Sequence, residues 1–220
     1  MISRTPSKIV CVGRNYAAHA RELGNDVPAR PLLFLKPPSS LIRNGVAIEL
    51  PPDAARVEHE AEIGVVIGRQ ARHVSAAEAM ACVAGYLPLN DVTARDLQKL
   101  DVQFARAKGY DTFCPAGEML ARDEWQDLEV IARVNGTVRQ HGRAADMIFG
   151  VPQIIEYISR IMTLEPGDII ATGTPEGTGP LHAGDVVEIE VPGIGSVRNP
   201  VTADAHAGTY AGTIRERPTA

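Results

Sequence analysis

The chain has 220 residues, of which 45% are hydrophobic, and its 22 Lys and Arg against 27 Asp and Glu give a formal net charge of −5. A chain of this length and composition can bury a large core, so it does not need disulfides or a structural metal to fold. The mildly acidic balance, without a run of like charges, argues against nucleic acid and against an anionic membrane as partners.

The cysteines and the apolar segments indicate the compartment. Cys11, Cys82 and Cys114 are an odd number at wide spacings, so they do not suggest a disulfide framework, and we expect a reducing environment. Cys114 has no basic neighbour in the sequence and is predicted to be a core residue. No segment has the ~20 apolar residues of a membrane span or the long apolar region of a secretory signal. The sequence therefore predicts a cytoplasmic protein.

Short strand-like segments dominate the chain. They are rich in Val, Ile and Leu and are bounded by Gly, Pro or Asn. The predicted strands cover residues 8–12, 31–35, 46–50, 62–67, 127–134, 168–171 and 186–191. The predicted helices cover residues 76–81, with Ser75 as the N-cap, 93–106, with charges at helical spacing, and 151–162, with one apolar face.

Turns and element order indicate the fold class. The Asn135-Gly136 pair accepts the positive φ angles of a type I′ turn and predicts a hairpin. Residues 193–195 predict a second turn, and residues 204–220 are expected to form a loosely held tail. Because strands outnumber helices and do not alternate with them, we predict one mixed, mainly β domain over residues 1–220, with peripheral helices. This pattern argues against a doubly wound parallel sheet.

Acidic residues at alternate positions precede the strand predicted at 62–67. Side chains two apart on a strand share a face, so Glu58, Glu60 and Glu62 would project together. Their repulsion beside a buried strand favours a divalent cation, whereas a solvated strand end is the simpler interpretation. Asp91 could complete an oxygen site of the kind that Mg²⁺ prefers, or could be a turn or N-cap residue. The spacing leaves both interpretations open.

His19 and Glu22 lie three residues apart in a short segment that reads as helical, so both occupy one face. A carboxylate in that position orients an imidazole and raises its basicity, as in a general base. A surface pair without function is the alternative. Gly24 and Asn25 follow and predict a mobile connection, which could place the base on a lid.

The Gly- and Thr-rich segment 172–180 follows a predicted strand. Its amides and hydroxyls could hold a carboxylate, or it could be a plain tight turn. It lacks the lysine of a phosphate-binding loop and no helix is predicted after it, so it does not indicate a nucleotide site. Lys36 and Lys108 each stand where an element meets a loop. Either could bind an anion or could be solvated.

Six segments in order resemble the fumarylacetoacetate hydrolase superfamily over about residues 9–190. They are VGRNY at 12–16 followed by His19 and Glu22, LFLKP at 33–37, HEAE at 59–62, DVTARD at 91–96, AKG at 107–109 and TGTPEG at 172–177. The resemblance implies a β-sandwich roll with peripheral helices, usually a homodimer. It also implies a bound Mg²⁺, with Mn²⁺ or Ca²⁺ as alternatives.

The same resemblance assigns roles to individual residues. The metal ligands match Glu60, Glu62 and Asp91, and Glu58 falls outside this set. His19 and Glu22 match a catalytic dyad that activates water, on a segment that orders over bound substrate. The residues implied to contact the substrate are Arg14, Lys36, Arg95, Gln98, Lys108 and Thr174, with Lys36 assigned to the lid.

The function implied is that of a divalent-metal-dependent enzyme acting on a small 2-oxo acid. The first expectation is hydrolysis of the C–C bond of an acylpyruvate, such as fumarylpyruvate or acetylpyruvate, with oxaloacetate decarboxylation as a further activity. An isomerase or tautomerase of 2-hydroxyhepta-2,4-diene-1,7-dioate or of oxaloacetate is the alternative enzyme. A non-catalytic metal-binding protein is the alternative from another class, although a binder has no need of a base such as His19.

Overall fold

The computed structural model describes residues 5–22 and 24–204. The strands are β1 (Ile9–Gly13), β2 (Leu32–Lys36), β3 (Leu41–Ile42), β4 (Ile48–Leu50), β5 (Val57–His59), β6 (Ala61–Ile67), β7 (Val83–Asn90), β8 (Thr93–Ala94), β9 (Cys114–Pro115), β10 (Glu129–Val134), β11 (Thr137–Arg143), β12 (Ile169–Ala171), β13 (Gly179–Pro180), β14 (Val186–Val191) and β15 (Gly195–Ala203). The α-helices are α1 (Ala17–Glu22), α2 (Ala76–Ala79), α3 (Arg95–Asp101), α4 (Ala105–Gly109) and α5 (Val151–Ile161). None of these helices is long and apolar enough to cross a membrane.

Two five-stranded sheets form the body of the fold. The first has the order β2-β1-β12-β6-β7, in which β1 and β12 are parallel and the other neighbours antiparallel. The second has the order β11-β10-β14-β15-β4, in which only β15 and β4 run parallel. Smaller sheets join β13-β5-β8 and β3-β9. This mixed pairing confirms the predicted mainly β fold with peripheral helices.

Strand β6 lies at the centre of the core. All seven of its residues are buried, and its two faces contact different apolar clusters. Ile63 and Val65 belong to the larger cluster, whereas Val66 belongs to the smaller one together with Cys114. A strand buried on both faces is rigid and excludes water, so the residues at its start are held in a fixed position.

The predicted strands agree with the observed ones to within two residues at each end, and the strand at 186–191 has the predicted bounds. The hairpin prediction is also confirmed, because Asn135 and Gly136 join β10 to β11 with φ angles of 52° and 78°. Helix α5 agrees with the helix predicted at 151–162. Apart from residue 204, the predicted tail lies outside the described residues.

The helix predicted over 93–106 is wrong as a single element. Thr93 and Ala94 instead form β8, which pairs with β5. Helix α3 then ends at Asp101, and Val102 has a φ of 61° before α4 begins. A β-branched residue in the left-handed region cannot continue a right-handed helix. The break turns α4 back toward β2, which it contacts.

Candidate active site

Pairing between β6 and β7 brings together the carboxylates predicted as metal ligands. Ala61 lies opposite Asn90 in this antiparallel pair, so Glu60 and Glu62 flank the end of β7, where Asp91 follows. The Asp91 amide donates to the Glu60 carbonyl at 2.9 Å. Oxygen atoms of Glu60, Glu62 and Asp91 lie within 4.8 Å of one another, and all three residues are buried. The spacing of the sequence alone could not show this convergence.

Buried cations surround these carboxylates. Lys108 Nζ lies 2.6 Å from both Glu60 Oε2 and Asp91 Oδ2, and Arg95 Nη2 lies 2.5 Å from Glu60 Oε1. Lys36 Nζ lies 2.7 Å from Asp91 Oδ1. The two lysines are only 1% and 2% exposed, so neither is a solvated lysine at the end of an element. The cations hold the carboxylates in place and compensate much of their charge.

The pKa shifts show where positive charge is lacking. Burial opposes ionisation of Glu60, but Lys108 and Arg95 outweigh it and hold the pKa of this carboxyl well below its usual range. Burial, together with the charges of Asp91 and Glu60, raises the pKa of Glu62 well above its usual range. The protein's own cations therefore compensate Glu60 more completely than Glu62.

The donor set fits a hard divalent cation. All three residues offer carboxylate oxygens, which Mg²⁺ and Mn²⁺ prefer. Asp91 Oδ1 is buried and contacts Lys36 without hydrogen-bond geometry, so it forms no hydrogen bond. Among the described residues, Glu62 accepts one hydrogen bond, from the Gly173 amide at 2.7 Å. Oxygen atoms with unused lone pairs and a deficit of positive charge are what such an ion requires.

A cavity of about 300 Å³ opens onto the three carboxylates. The predicted site residues that line it are Arg14, His19, Glu60, Glu62, Asp91, Arg95, Gln98, Lys108 and Thr174. Leu32, Phe34 and Phe104 form an apolar part of the wall, and the two phenylalanine rings meet edge to face with centroids 5.5 Å apart. The cavity therefore combines charged groups at its base with a partly apolar wall, as small-molecule sites do.

The His19–Glu22 pair lies on α1, as the sequence predicted. His19 Nδ1 is 3.1 Å from Glu22 Oε2, and His19 is 3% exposed. Glu22 does not line the cavity; its carboxylate accepts the Gly177 amide at 3.1 Å and 3.3 Å. Glu22 thus connects α1 to the Gly-rich loop and orients the imidazole that faces the cavity.

Lys36 and Glu58 lie outside the cavity wall. Lys36, at the end of β2, contacts Asp91 without lining the cavity, and it donates to the Val92 carbonyl at 3.2 Å. Glu58 does not project with Glu60 and Glu62; it accepts from Arg56 Nε at 2.6 Å and Arg95 Nε at 2.8 Å. Burial opposes its ionisation, but these guanidinium groups hold the pKa of Glu58 below its usual value. Glu58 therefore anchors Arg95.

The Gly-rich loop does hold a carboxylate, but that carboxylate belongs to the chain itself. The Gly173 amide donates to Glu62, and Thr172 Oγ1 donates to the Ile63 carbonyl at 2.8 Å. Gly173 has a φ of 105°, which a residue with a side chain rarely adopts. The loop therefore positions a predicted metal ligand, and Thr174 follows it on the cavity wall.

Sequence reasoning missed several residues around the cavity. Lys99 lines it one helical turn after Arg95, so helical spacing on α3 could have indicated it. Asn90, next to Asp91, accepts the Glu60 amide at 3.0 Å. Gln140 on β11 bonds to the loop at Thr174, and nothing in its local sequence pattern indicates this contact.

The chain is similar to known proteins in both sequence and structure. The family described as fumarylacetoacetate (FAA) hydrolase C-terminal matches residues 8–202. The chain is 45% identical to the mitochondrial oxaloacetate decarboxylase of Dictyostelium discoideum, over 86% of this chain and 91% of that protein. It is 47% identical to the mitochondrial oxaloacetate tautomerase FAHD1 of Arabidopsis thaliana, over 87% of this chain and 89% of that protein.

Solved structures share the fold. The 5-carboxymethyl-2-hydroxymuconate delta-isomerase from Mycobacterium smegmatis has a TM-score of 0.85 at 48% identity, covering 90% of this chain and 80% of that one. The fumarylpyruvate hydrolase from Pseudomonas aeruginosa, in complex with Mn²⁺ and pyruvate, has a TM-score of 0.85 at 28% identity, covering 90% and 91%. These relatives are enzymes of different reaction types, and one of them binds a divalent metal.

Proposed function

The chain belongs to the fumarylacetoacetate hydrolase family, and from this premise we propose that it is a divalent-metal-dependent enzyme acting on small 2-oxo acids. The observation that carries the proposal is the convergence of Glu60, Glu62 and Asp91 at the base of a cavity that also contains His19. Mg²⁺ is the proposed ion. Mn²⁺ and Ca²⁺ are alternatives because carboxylate oxygens suit all three.

The cations of the cavity have donors left for a substrate carboxylate. A divalent ion held by the three acids would polarise the 2-oxo group and stabilise the enolate that forms when an adjacent bond breaks. Arg95 uses its Nε, Nη1 and Nη2 atoms on Glu58, Gln98 and Glu60, which leaves two of its five N–H donors. Lys108 uses two of its three N–H donors, on Glu60 and Asp91. Both side chains are therefore fixed and still able to bind an anion.

His19 is the proposed base. Glu22 accepts from Nδ1, so in the neutral ring Nε2 carries the free lone pair and can take a proton. When the proton comes from water, the hydroxide adds to the distal carbonyl of an acylpyruvate and the C–C bond breaks. The acid then leaves with the hydroxide oxygen, and the proton returns to the pyruvate carbon. Hydrolysis of fumarylpyruvate or acetylpyruvate is the first candidate reaction.

Decarboxylation or tautomerisation of oxaloacetate is the second candidate, and two unpaired cations suit the second carboxylate of this substrate. Arg14 and Lys99 line the cavity and form no ion pair with any residue in 5–22 or 24–204. They would suit a second carboxylate, which oxaloacetate and fumarylpyruvate carry and acetylpyruvate lacks. Tautomerisation needs only a base that moves a proton, and His19 supplies it. The names of the Dictyostelium and Arabidopsis relatives agree with this candidate.

The test is turnover of oxaloacetate, fumarylpyruvate and acetylpyruvate, with enol absorbance, pyruvate and CO₂ followed separately. We expect EDTA to abolish turnover, Mg²⁺ or Mn²⁺ to restore it, and Glu60→Gln to lose it. Glu49→Gln, at an exposed position on β4, is the matched control and should remain active. Undiminished turnover by Glu60→Gln would contradict the proposal.

The products separate the candidate reactions. Pyruvate with an acid indicates hydrolysis, pyruvate with CO₂ indicates decarboxylation, and a change in enol absorbance without either indicates a tautomerase. A protein that binds Mg²⁺ and gains thermal stability, yet converts none of the three acids, would instead be a metal-binding protein without catalysis.

A further inference from the structure

Gln140 is a buried amide that connects two sides of the site. Its Oε1 accepts the Ala61 amide at 3.0 Å and His59 Nδ1 at 2.9 Å. Its Nε2 donates to Thr174 Oγ1 and to the Pro175 carbonyl, both at 2.8 Å. The side chain is 1% exposed, and both lone pairs and both hydrogens of its amide are used.

Two backbone partners fix the direction of these hydrogen bonds. The Ala61 N–H can only donate and the Pro175 carbonyl can only accept, so the oxygen and nitrogen of the Gln140 amide cannot be exchanged. Thr174 Oγ1 therefore accepts from Gln140. The hydroxyl hydrogen of Thr174 has no acceptor among the described residues, and Thr174 lines the cavity.

We propose that Gln140 is a positioning residue that makes the Thr174 hydroxyl a hydrogen-bond donor toward an anionic oxygen of the substrate. The inference rests on the proposed function, because the acceptor would be a carboxylate or enolate oxygen of a 2-oxo acid. A hydroxyl both donates and accepts, so occupying one of its lone pairs leaves its hydrogen for the ligand. His59 supports this arrangement, because its N–H donates to the oxygen of the Gln140 amide.

A purely structural role is the competing explanation, since Gln140 also connects the start of β6 to the loop at Thr174 and Pro175. The substitution Gln140→Glu distinguishes the structural role of Gln140 from its positioning role. An ionised carboxylate only accepts hydrogen bonds, so it would accept the hydrogen of the Thr174 hydroxyl. The Thr174 oxygen would then face the ligand with its lone pairs and could not donate to it. The side-chain volume stays the same. Gln140→Glu loses the hydrogen bond to the Pro175 carbonyl under either explanation, so a loss of stability does not distinguish them. Only a positioning role would weaken the binding of anions in a way that depends on Thr174.

The probe is oxalate, a dianion that resembles the enolate of pyruvate, titrated calorimetrically into protein saturated with Mg²⁺. The Mg²⁺ affinity of each variant is measured first to ensure saturation. Thr174→Val should weaken oxalate binding roughly 10- to 100-fold, as expected for loss of a hydrogen bond to a charged group. Thr174→Ser, which keeps the hydroxyl, should bind within about threefold of the unmodified protein.

The decisive measurement is oxalate binding by the double variant that combines Gln140→Glu with Thr174→Val. Gln140→Glu should weaken oxalate binding about tenfold or more when Thr174 is present, and severalfold less in the Thr174→Val background. Asn199→Asp is the matched control, since the Asn199 amide is also buried, donates to the Arg43 and Val46 carbonyls at 2.9 Å and 2.7 Å, and does not line the cavity. It should lower the melting temperature and leave oxalate binding unchanged.

The outcomes distinguish this inference from the proposed function. If Gln140→Glu weakens binding equally in both backgrounds, or if Thr174→Ser binds as poorly as Thr174→Val, Gln140 does not act through the hydroxyl and the inference is overturned alone. If the unmodified Mg²⁺-loaded protein does not bind oxalate, the proposed function fails and the inference fails with it. Strong coupling between positions 140 and 174 supports the inference.

Discussion

Replacing Gly173 by alanine tests how the Gly-rich loop supports the site. Gly173 has a φ of 105°, and a Cβ added there would lie 2.6 Å from Asn15 Cβ and 3.2 Å from the Val12 carbonyl. The backbone conformation costs about 1–2 kcal/mol for a residue with a Cβ. Moving the loop also breaks the hydrogen bond to Glu62, worth about 1.5–3 kcal/mol. We expect a loss of about 2.5–5 kcal/mol, which lowers Tm by roughly 5–20 °C.

Gly136→Ala is the matched control for Gly173→Ala. Gly136 has a φ of 78°, and no heavy atom lies within 4 Å of the added Cβ, so only the backbone cost of about 1–2 kcal/mol remains. Urea unfolding gives both stabilities, and a Mg²⁺ titration shows the effect on the site. Gly173→Ala should bind Mg²⁺ more weakly, and Gly136→Ala should bind it normally. Equal losses of stability, with normal Mg²⁺ affinity in both variants, would show that the Gly173 backbone does not support the site.

Four further predictions follow from the buried charges. Burial opposes ionisation of Asp168, but Lys8 and backbone amides hold its pKa below the usual value, so its stabilisation is complete above the unfolded-state pKa and is lost as pH falls through the folded-state value. The stability gap between the unmodified protein and Asp168→Asn, measured by urea unfolding, should therefore shrink below about pH 4, and a constant gap would contradict this. Glu62→Gln should stabilise the metal-free protein, because it removes repulsion, and should abolish the rise of Tm with Mg²⁺; a rise equal to that of the unmodified protein would argue against Glu62 as a ligand. Lys36→Met should cost about 3 kcal/mol in urea unfolding although Lys36 is off the cavity wall, because it leaves Asp91 less compensated, and an unchanged stability would refute this role. In calorimetry, oxalate should bind the metal-free protein far more weakly than the Mg²⁺-loaded one, and equal affinities would contradict the proposed site.

The parts of the site that could be predicted are those that a short stretch of sequence determines. Strand periodicity located β6, and spacing of three residues on a helix placed His19 beside Glu22. Side chains one turn apart meet because of helix geometry, which does not depend on the rest of the fold. The resemblance to the fumarylacetoacetate hydrolase superfamily identified Glu60, Glu62 and Asp91 as one set of metal ligands. The structure brings the three carboxylates together.

The parts that could not be predicted depend on contacts between distant segments. Residues 93–94 read as the start of a helix, but pairing with β5 holds them in a strand. Lys36 was expected to contact the substrate, and the structure places it at 2.7 Å from Asp91 without making it part of the cavity wall, a contact that its local sequence does not indicate. Gln140 contacts Thr174, which lies 34 residues away in the sequence, and the sequence of β11 has no feature that distinguishes Gln140 from its neighbours. Each of these placements is set by tertiary packing.

If the proposed function is right, the charges around the three carboxylates predict that the metal ion binds before the substrate. Leaving the histidines aside, the buried charged side chains of the network comprise four acids and three bases, namely Glu58, Glu60, Glu62, Asp91, Lys36, Arg95 and Lys108. With all seven ionised, these side chains carry one net negative charge, and the raised pKa of Glu62 locates the uncompensated charge at this carboxylate. A divalent cation changes that balance to one net positive charge. A 2-oxo acid would then bind more favourably, because its carboxylate would neutralise this positive charge and leave Arg14 and Lys99 at the cavity for a second anionic group.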